Sequence, residues 1–403
     1  RETYAKMFLT LWNVHRFHLD YAILDNFDYN KDFIPVEDRG ELDRWILSKI
    51  SSVAESYHND YVSWQFHKAA RDLENFVIND LSNWYVRRSR RRLWEEAESH
   101  DKRACQFTLH EVLLNVSKLM SPIAPFMPDK IHFDLTGTSV HTADWPLGSD
   151  LVSRDLPPQD LELEKQMSIV RMLAENGRKI RVDAKHRQRL PCKEGWIVGG
   201  PNLEAFHSII AEELNVEILT TESNLDRFQK IEILPNHKVL GAKCRADLPK
   251  VLSELSNVKS EALLSEIEAG NAKLAGFEIT MNDIKIKRVE KEGYAASTFE
   301  VEDLGDISLV LDIEITEDLI SKGLAREITR RIQSKRKELD LELEATISLK
   351  VWLEPESPKL NSEDWSYIVS ETRSKPAKLI IGDCDTNLDN FQVEENKIYF
   401  KVN

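Results

Sequence analysis

Long hydrophobic runs are missing from this chain. No apolar stretch in its 403 residues approaches the roughly 20 that a membrane-spanning helix requires. At 41% hydrophobic and 31% charged residues, the composition fits packed cores in a protein with no membrane contact and a cytoplasmic setting. Cysteine is scarce too. The four, Cys105, Cys192, Cys244 and Cys384, lie far apart with no Cys-x-x-Cys pair, which argues against a zinc knuckle and a disulfide framework and suits a reducing compartment. Among eleven histidines only His15 and His18 show close spacing. With no third ligand near them they fall short of the roughly four donors a zinc site needs, so no metal is expected. Also missing are a Walker A motif, Gly-x-Gly-x-x-Gly and Gly-x-Ser-x-Gly, and no carboxylate pair stands out. No catalytic residue and no cofactor site are therefore expected within the chain. No signal peptide, internal repeat or low-complexity segment is visible. Arg1-Glu-Thr-Tyr opens in mid-element, as a cut end would.

What is present is an arginine run in an acidic protein. The net charge is -15, yet Arg87, Arg88, Arg90, Arg91 and Arg92 fall within six positions, just after Trp84 and Tyr85. Guanidinium groups match phosphate oxygens, and aromatic rings can stack on bases. On a helix Arg87 and Arg91 share a face, as do Arg88 and Arg92. An alternative is a solvated helix end whose cations pair with Glu95, Glu96 and Glu98 at i,i+4 spacing. Trp84 and Tyr85 likewise continue the apolar stripe Leu73, Val77 and Leu81, which suits core packing as well as stacking. From this run, Trp84, Arg87, Arg88, Arg91 and Arg92 are selected as RNA contacts.

The length suggests two to four domains. Apolar spacing predicts helices over about 3–19, 42–57, 63–98 and 101–120. The last is ended by Pro122, Pro125 and Pro128, because proline cannot continue an α-helix. Short connections imply an all-α bundle over 1–147. Proline, glycine and serine make 148–160 a linker. An α+β domain is expected over 161–344, with helices at about 161–183, 201–214 and 247–269. In it Ile307, Leu309, Leu311, Ile313 and Ile315 alternate with polar residues as in a half-buried strand. Thr316 then caps a helix reaching 339, whose apolar face carries Leu324, Ile328, Ile332 and Leu339. Alternation at Ile347–Leu353 and Ile398–Val402 marks a small α/β subdomain over 345–403.

Two further basic segments stand out. Residues 165–193 hold nine lysines and arginines, of which Arg178, Lys179, Arg181, Lys185 and Arg189 flank a helix end and turn. Lys322, Arg326 and Arg330 form a stripe on the 317–339 helix. These eight complete the expected RNA contacts, each with the alternative of a solvated or internally paired cation. Arg331, at the edge of the apolar face, is expected to pair with a carboxylate.

Asp80-Leu-Ser-Asn-Trp-Tyr-Val-Arg-Arg-Ser-Arg-Arg-Arg-Leu-Trp94 resembles the anticodon-binding helix of isoleucyl-tRNA synthetases of the archaeal and eukaryotic type. Glu41-Leu-Asp-Arg-Trp-Ile-Leu-Ser48 and Ser121-Pro-Ile-Ala-Pro-Phe126 resemble the segments that open and close that domain. Gly177-Arg-Lys-Ile-Arg-Val-Asp-Ala-Lys-His-Arg-Gln-Arg-Leu-Pro191, Glu213-Leu-Asn-Val216 and Gly323-Leu-Ala-Arg-Glu-Ile-Thr-Arg-Arg-Ile-Gln333 are similar to its C-terminal region. The matches are collinear to about residue 345. The resemblance implies a C-terminal, tRNA(Ile)-binding portion of a class I ligase of protein biosynthesis. Its His-Ile-Gly-His and Lys-Met-Ser-Lys-Ser signatures are not in this chain. Catalytic and editing domains would lie upstream, and ATP and magnesium would serve the whole enzyme. This portion alone would be inactive, with tRNA(Ile) and the upstream domains as partners and no DNA. The scattered cysteines depart from the zinc module of the bacterial branch. A protein-interaction scaffold, or the matching part of a valyl- or leucyl-tRNA synthetase, are the rival readings.

Overall fold

The computed structural model describes residues 4–31, 33–94, 99–147, 156–341, 345–355, 357–382, 388–393 and 396–402. It consists of two compact units that meet in sequence between Ile169 and Val170, inside the helix Leu161–Asp183. Most of the expected linker, 148–155, lies outside the described residues. Its last part is held in the first unit, where the Pro157 carbonyl accepts a 2.7 Å hydrogen bond from the Ser51 hydroxyl.

The first unit is a helical bundle. A π-helical turn, Tyr4–Phe8, runs into Leu9–Leu24, and Glu41–Val62, the helical run 66–94, His100–Met120 and Phe126–Thr136 follow. The helix expected over 63–98 starts at Phe66, because Trp64 takes a left-handed backbone (φ 60°) that breaks the preceding turn. Its middle, Phe76–Val86, is π-helical, and the Arg87 amide reaches back five residues to the Ser82 carbonyl. The wider turn buries three consecutive residues, Trp84, Tyr85 and Val86, which a 100° spacing would not place on one face. His100–Met120 begins at an N-cap, Ser99, whose hydroxyl accepts from the Lys102 amide at 3.1 Å.

Two guanidinium clamps hold the bundle, one half-buried and one buried. Arg92 grips both oxygens of the fully buried Asp43, at 2.8 and 2.6 Å, and also bonds Asp101 at 2.7 Å. The Tyr85 hydroxyl donates to the same Asp43 at 2.5 Å. Three helical elements are thus tied together through the one guanidinium of Arg92. Burial opposes the charge on Arg92, but the hydrogen bonds and charge of Asp43 prevail and hold it protonated more firmly than a free arginine. Burial likewise pushes the Tyr85 hydroxyl well above its usual range. Arg39 forms the second clamp. It pairs with both oxygens of Glu111 at 2.8 Å and bonds the Ile34 carbonyl, folding the 25–39 loop onto Phe107. His18 and His110 sit in the same interior, their rings 5.9 Å apart. Burial pushes His18 down to about 3 and His110 to about 4, so both are neutral.

The second unit is α+β. Its first sheet has the order Val216–Glu222, Cys192–Val198, Gly305–Asp312, Tyr294–Val301. The first pair is parallel, connected through the helix His207–Leu214, and the other pairs are antiparallel. Gly305–Asp312 is therefore a central strand. The half-buried alternation expected there is not found: Ser308 and Val310 are buried along with Ile307, Leu309 and Leu311, and the Ser308 hydroxyl shares a 2.7 Å hydrogen bond with Thr298. Ile313 and Ile315 fall beyond the strand, and Ile315 is exposed. The helix expected over 247–269 is two, Leu248–Asn257 and Ser260–Glu268, packed with a two-stranded ribbon, Gln229–Pro235 and Ile284–Glu290. Thr316 does cap Glu317–Glu338. Leu324, Ile328 and Ile332 of that helix share one core with Ile347, Leu349, Val351 and Ile398 of the terminal sheet, while Leu339 is exposed. The terminal sheet has the order Ser374–Ile381, Ile347–Leu353, Asn396–Val402, Asp389–Val393.

Replacing Asp43 by alanine strands the half-buried Arg92 guanidinium and the buried Tyr85 hydroxyl. It is expected to cost about 3 kcal/mol in urea unfolding, whereas alanine at the half-exposed Asp28 is expected to shift the midpoint only slightly. The histidines predict a pH effect whose sign follows from their lowered folded-state values. Above pH 6.5 folded and unfolded chains are both neutral at these sites. Between 6.5 and about 4 the unfolded chain binds protons the folded one refuses, so stability falls as pH falls, by about 1.4 kcal/mol per pH unit per histidine. Phenylalanine at both positions is expected to flatten this slope in pH-resolved melts; an unchanged slope contradicts the assignment.

Candidate nucleic-acid interface

Two glycines bring the basic segments of the second unit together. A Cβ on Gly177 would lie 1.9 Å from Leu214 Cδ2, so any larger residue would force the Leu214 side chain to move where the helix Leu161–Asp183 presses against the end of His207–Leu214. A Cβ on Gly323 would meet Leu190 Cδ1 at 3.3 Å, where the 184–191 loop crosses the helix Glu317–Glu338. Both glycines stand in the segments that carry the family resemblance.

Arg181 fastens this junction and is 2% exposed. It donates to the carbonyls of Leu214 (2.6 Å), Asn215 (2.9 Å), Leu190 (2.8 Å) and Arg187 (3.2 Å), and lies 2.9 Å from His186 Nδ1. A helix C-terminus leaves carbonyls without partners, and Arg181 supplies them here while tying in the neighbouring loop. Burial lowers its affinity for the proton, and nearby Arg326 adds to the effect. Its selection as an RNA contact is corrected: every donor is used inside the fold. Asn215, in the left-handed region that follows a helix (φ 52°), also donates its side-chain amide to the Gln188 carbonyl at 3.0 Å.

Around this junction the fold leaves positive charge in excess. The carboxylate of Glu327, 9% exposed, receives Arg330 at 2.9 Å, Arg331 at 3.0 Å and Arg189. Three guanidinium groups, each 41–53% exposed, thus share one buried negative charge. Burial alone would raise Glu327; the arginines hold it below the usual carboxylate range. Arg331 is paired as expected. Arg326 is exposed one residue earlier and makes no ion pair among the described residues; neither do the exposed Lys179 and Lys185. Other selected cations are committed. Lys322 is bonded to Glu217 at 2.6 Å and Asp318 at 2.7 Å, and those acids hold it protonated more firmly than a free lysine. Arg178 lies 3.5 Å from Glu213.

In the bundle the arginine run divides. Arg92 belongs to the Asp43 clamp, which corrects its selection as an RNA contact. Trp84 is also corrected: it is 5% exposed, covered by the guanidinium groups of Arg87 (5.7 Å from the ring centroid) and Arg88 (5.9 Å), so no base can stack on it without opening the bundle. Arg87 and Arg91 are at the surface and Arg88 is half-buried. Residues 95–98, which hold the acids weighed as partners of this run, lie outside the described residues. Arg90 was not selected, yet it is exposed, 6.0 Å from the Phe17 ring, and makes no ion pair among the described residues. Its place in the same run, about 60° around the helix from Arg87 and away from the Arg88–Arg92 face, is the available signal. Among the described residues no group of three His, Cys, Asp or Glu side chains is placed to hold a metal, and no helix is long and apolar enough to cross a membrane.

Residues 43–195 match the family model described as the anticodon-binding domain of tRNA ligase. The isoleucine–tRNA ligase of Methanocaldococcus jannaschii is 33% identical over 354 residues, covering 86% of this chain and 32% of that protein. Those of Cytophaga hutchinsonii and Clostridium acetobutylicum are 31% identical over 398 residues and 32% over 364; they cover 94% and 87% of this chain and 35% and 34% of their own lengths. The chain thus spans about a third of the length of the curated relatives it matches. With an anticodon-binding bundle followed by α+β structure, and with the likeness running through both units, this chain belongs to the isoleucine–tRNA ligase family.

Proposed function

We propose that this chain is the C-terminal, tRNA-gripping portion of an isoleucine–tRNA ligase, acting in the cytoplasm. Phosphate contacts hold the RNA; bond-making, with ATP and magnesium, belongs to an upstream part. The observation that carries this reading is the cluster around Glu327, where Arg189, Arg330 and Arg331 share one carboxylate and the adjoining Arg326 makes no ion pair among the described residues, in a protein of net charge -15. Phosphate oxygens are the natural counter-charge for guanidinium groups left in surplus. Lys179 and Lys185 in the second unit, and Arg87, Arg91 and Arg90 in the bundle, supply further cations at the surface. Unstacked bases would then be read by their edges.

Filter binding to tRNA(Ile) across a salt series tests the reading. Affinity is expected to fall steeply with salt, and Arg326→Ala to lower the log–log slope by about 1. Lys322→Ala is expected to change little, since Glu217 and Asp318 already neutralise that lysine. Arg326→Ala binding as tightly as the unaltered chain, with the same slope, contradicts the assignment. Isoleucine-dependent pyrophosphate exchange is expected to be absent from the purified chain.

A further inference from the structure

Helices cover one face of the terminal sheet. Leu324, Ile328 and Ile332 of Glu317–Glu338, with Ile368 of the helix Ser362–Glu371, pack on the side that carries Leu349, Val351 and Ile398. Side chains alternate along a strand, so Lys350 and Trp352 of Ile347–Leu353 belong to the opposite, outer face. Lys378 and Ile380 of Ser374–Ile381 stand there too, with Tyr399 and Lys401 of Asn396–Val402. We propose that this outer face docks one acidic amphipathic helix of a protein partner. The inference does not rest on the RNA-binding reading.

Strand register sorts the six residues into two rows. Lys378 is opposite Lys350, which is opposite Lys401. Ile380 is opposite Trp352, which is opposite Tyr399. Three exposed lysines therefore stand side by side across three strands, and none of their ammonium groups makes an ion pair among the described residues. Like charges directly opposite on neighbouring strands destabilise a sheet. No acid occupies a described outward position of these strands to relieve them. In a protein of net charge -15, a row of cations left in mutual repulsion calls for an outside anion.

The second row decides what kind of molecule carries that anion. A base stacks on an open ring, but Tyr399 is only 8% exposed, and Trp352 beside it is half-buried. Together with Ile380 they make an apolar floor suited to aliphatic side chains. Spacing then sets the conformation of the occupant. Neighbouring strands lie about 4.8 Å apart, so the lysines repeat at that interval. A helix with carboxylates at i, i+3 and i+7 presents one about every 5 Å along its axis. An extended chain repeats its side chains on one face only about every 6.7 Å and is out of step by the third lysine. A helix with an acidic edge beside an apolar stripe covers both rows at once.

The experiment uses the whole chain and a fluorescein-labelled, alanine-rich peptide of about 18 residues, long enough to be helical, with glutamates at i, i+3 and i+7 and leucines along the adjoining edge. Anisotropy is expected to show binding below about 0.1 mM, weakening as salt rises. Lys350→Glu is expected to weaken it about ten-fold, and exchanging the middle glutamate of the peptide for lysine to restore it. Lys350→Gln is expected to melt no lower than the unaltered chain, since it removes a repulsion and no contact. A lower melting temperature would mark the lysine as structural and overturn the proposal. So would absence of peptide binding by the unaltered chain, or a Lys350→Glu variant that binds both peptides as the unaltered chain does. If Lys350→Glu instead lowers tRNA(Ile) binding about ten-fold and leaves the peptide unaffected, the face belongs to RNA and the protein partner is excluded.

Discussion

The geometry of the second unit hangs on one buried guanidinium. Arg181 gathers the carbonyls at the end of His207–Leu214 and those of the 184–191 loop, on a helix whose glycine allows the approach. An unpaired carbonyl buried away from water costs about 1–3 kcal/mol, so removing this one side chain would undo several such bonds together. Everything proposed for the arginine surface above it depends on that fastening: the position of Arg189 and the crossing at Gly323 that sets Arg326 nearby.

The bundle repeats the logic with a carboxylate in place of carbonyls. Asp43 holds Arg92 and Tyr85, and Glu111 holds Arg39. Arginine suits both jobs because its planar fork can satisfy several acceptors at once while keeping its charge. The protein thus uses guanidinium groups in two ways. Some are consumed inside, where every donor is matched. Others stay at the surface in numbers their acids do not balance, as around Glu327.

That division explains what could be read from the sequence. Helical periodicity placed the bundle helices, and the Thr316 cap and the buried Leu324, Ile328 and Ile332 followed from local pattern. The fate of each cation did not, because its partner is remote in sequence. Asp43 and Arg92 are 49 positions apart, and Arg189 and Glu327 are 138 apart. Charge spacing reports how many guanidinium groups a segment carries and says nothing of which acid will fold against them. Trp84 differs: its spacing continues the apolar stripe Leu73, Val77 and Leu81, and the structure buries it with them, so periodicity marked it as core and the neighbouring arginines did not override that. The central strand Gly305–Asp312 shows the same limit, since a polar Ser308 can be buried once a neighbouring strand offers it Thr298.

The central claim is that surplus surface arginines, and not the buried ones, grip RNA. Chemical modification of arginines by phenylglyoxal, read residue by residue by mass spectrometry with and without tRNA(Ile), tests it most directly. The account predicts that tRNA protects Arg326, Arg330 and Arg189, while Arg181 and Arg92 resist the reagent equally in both samples. Modification of Arg326 and Arg330 at the same rate whether or not saturating tRNA is present would contradict it.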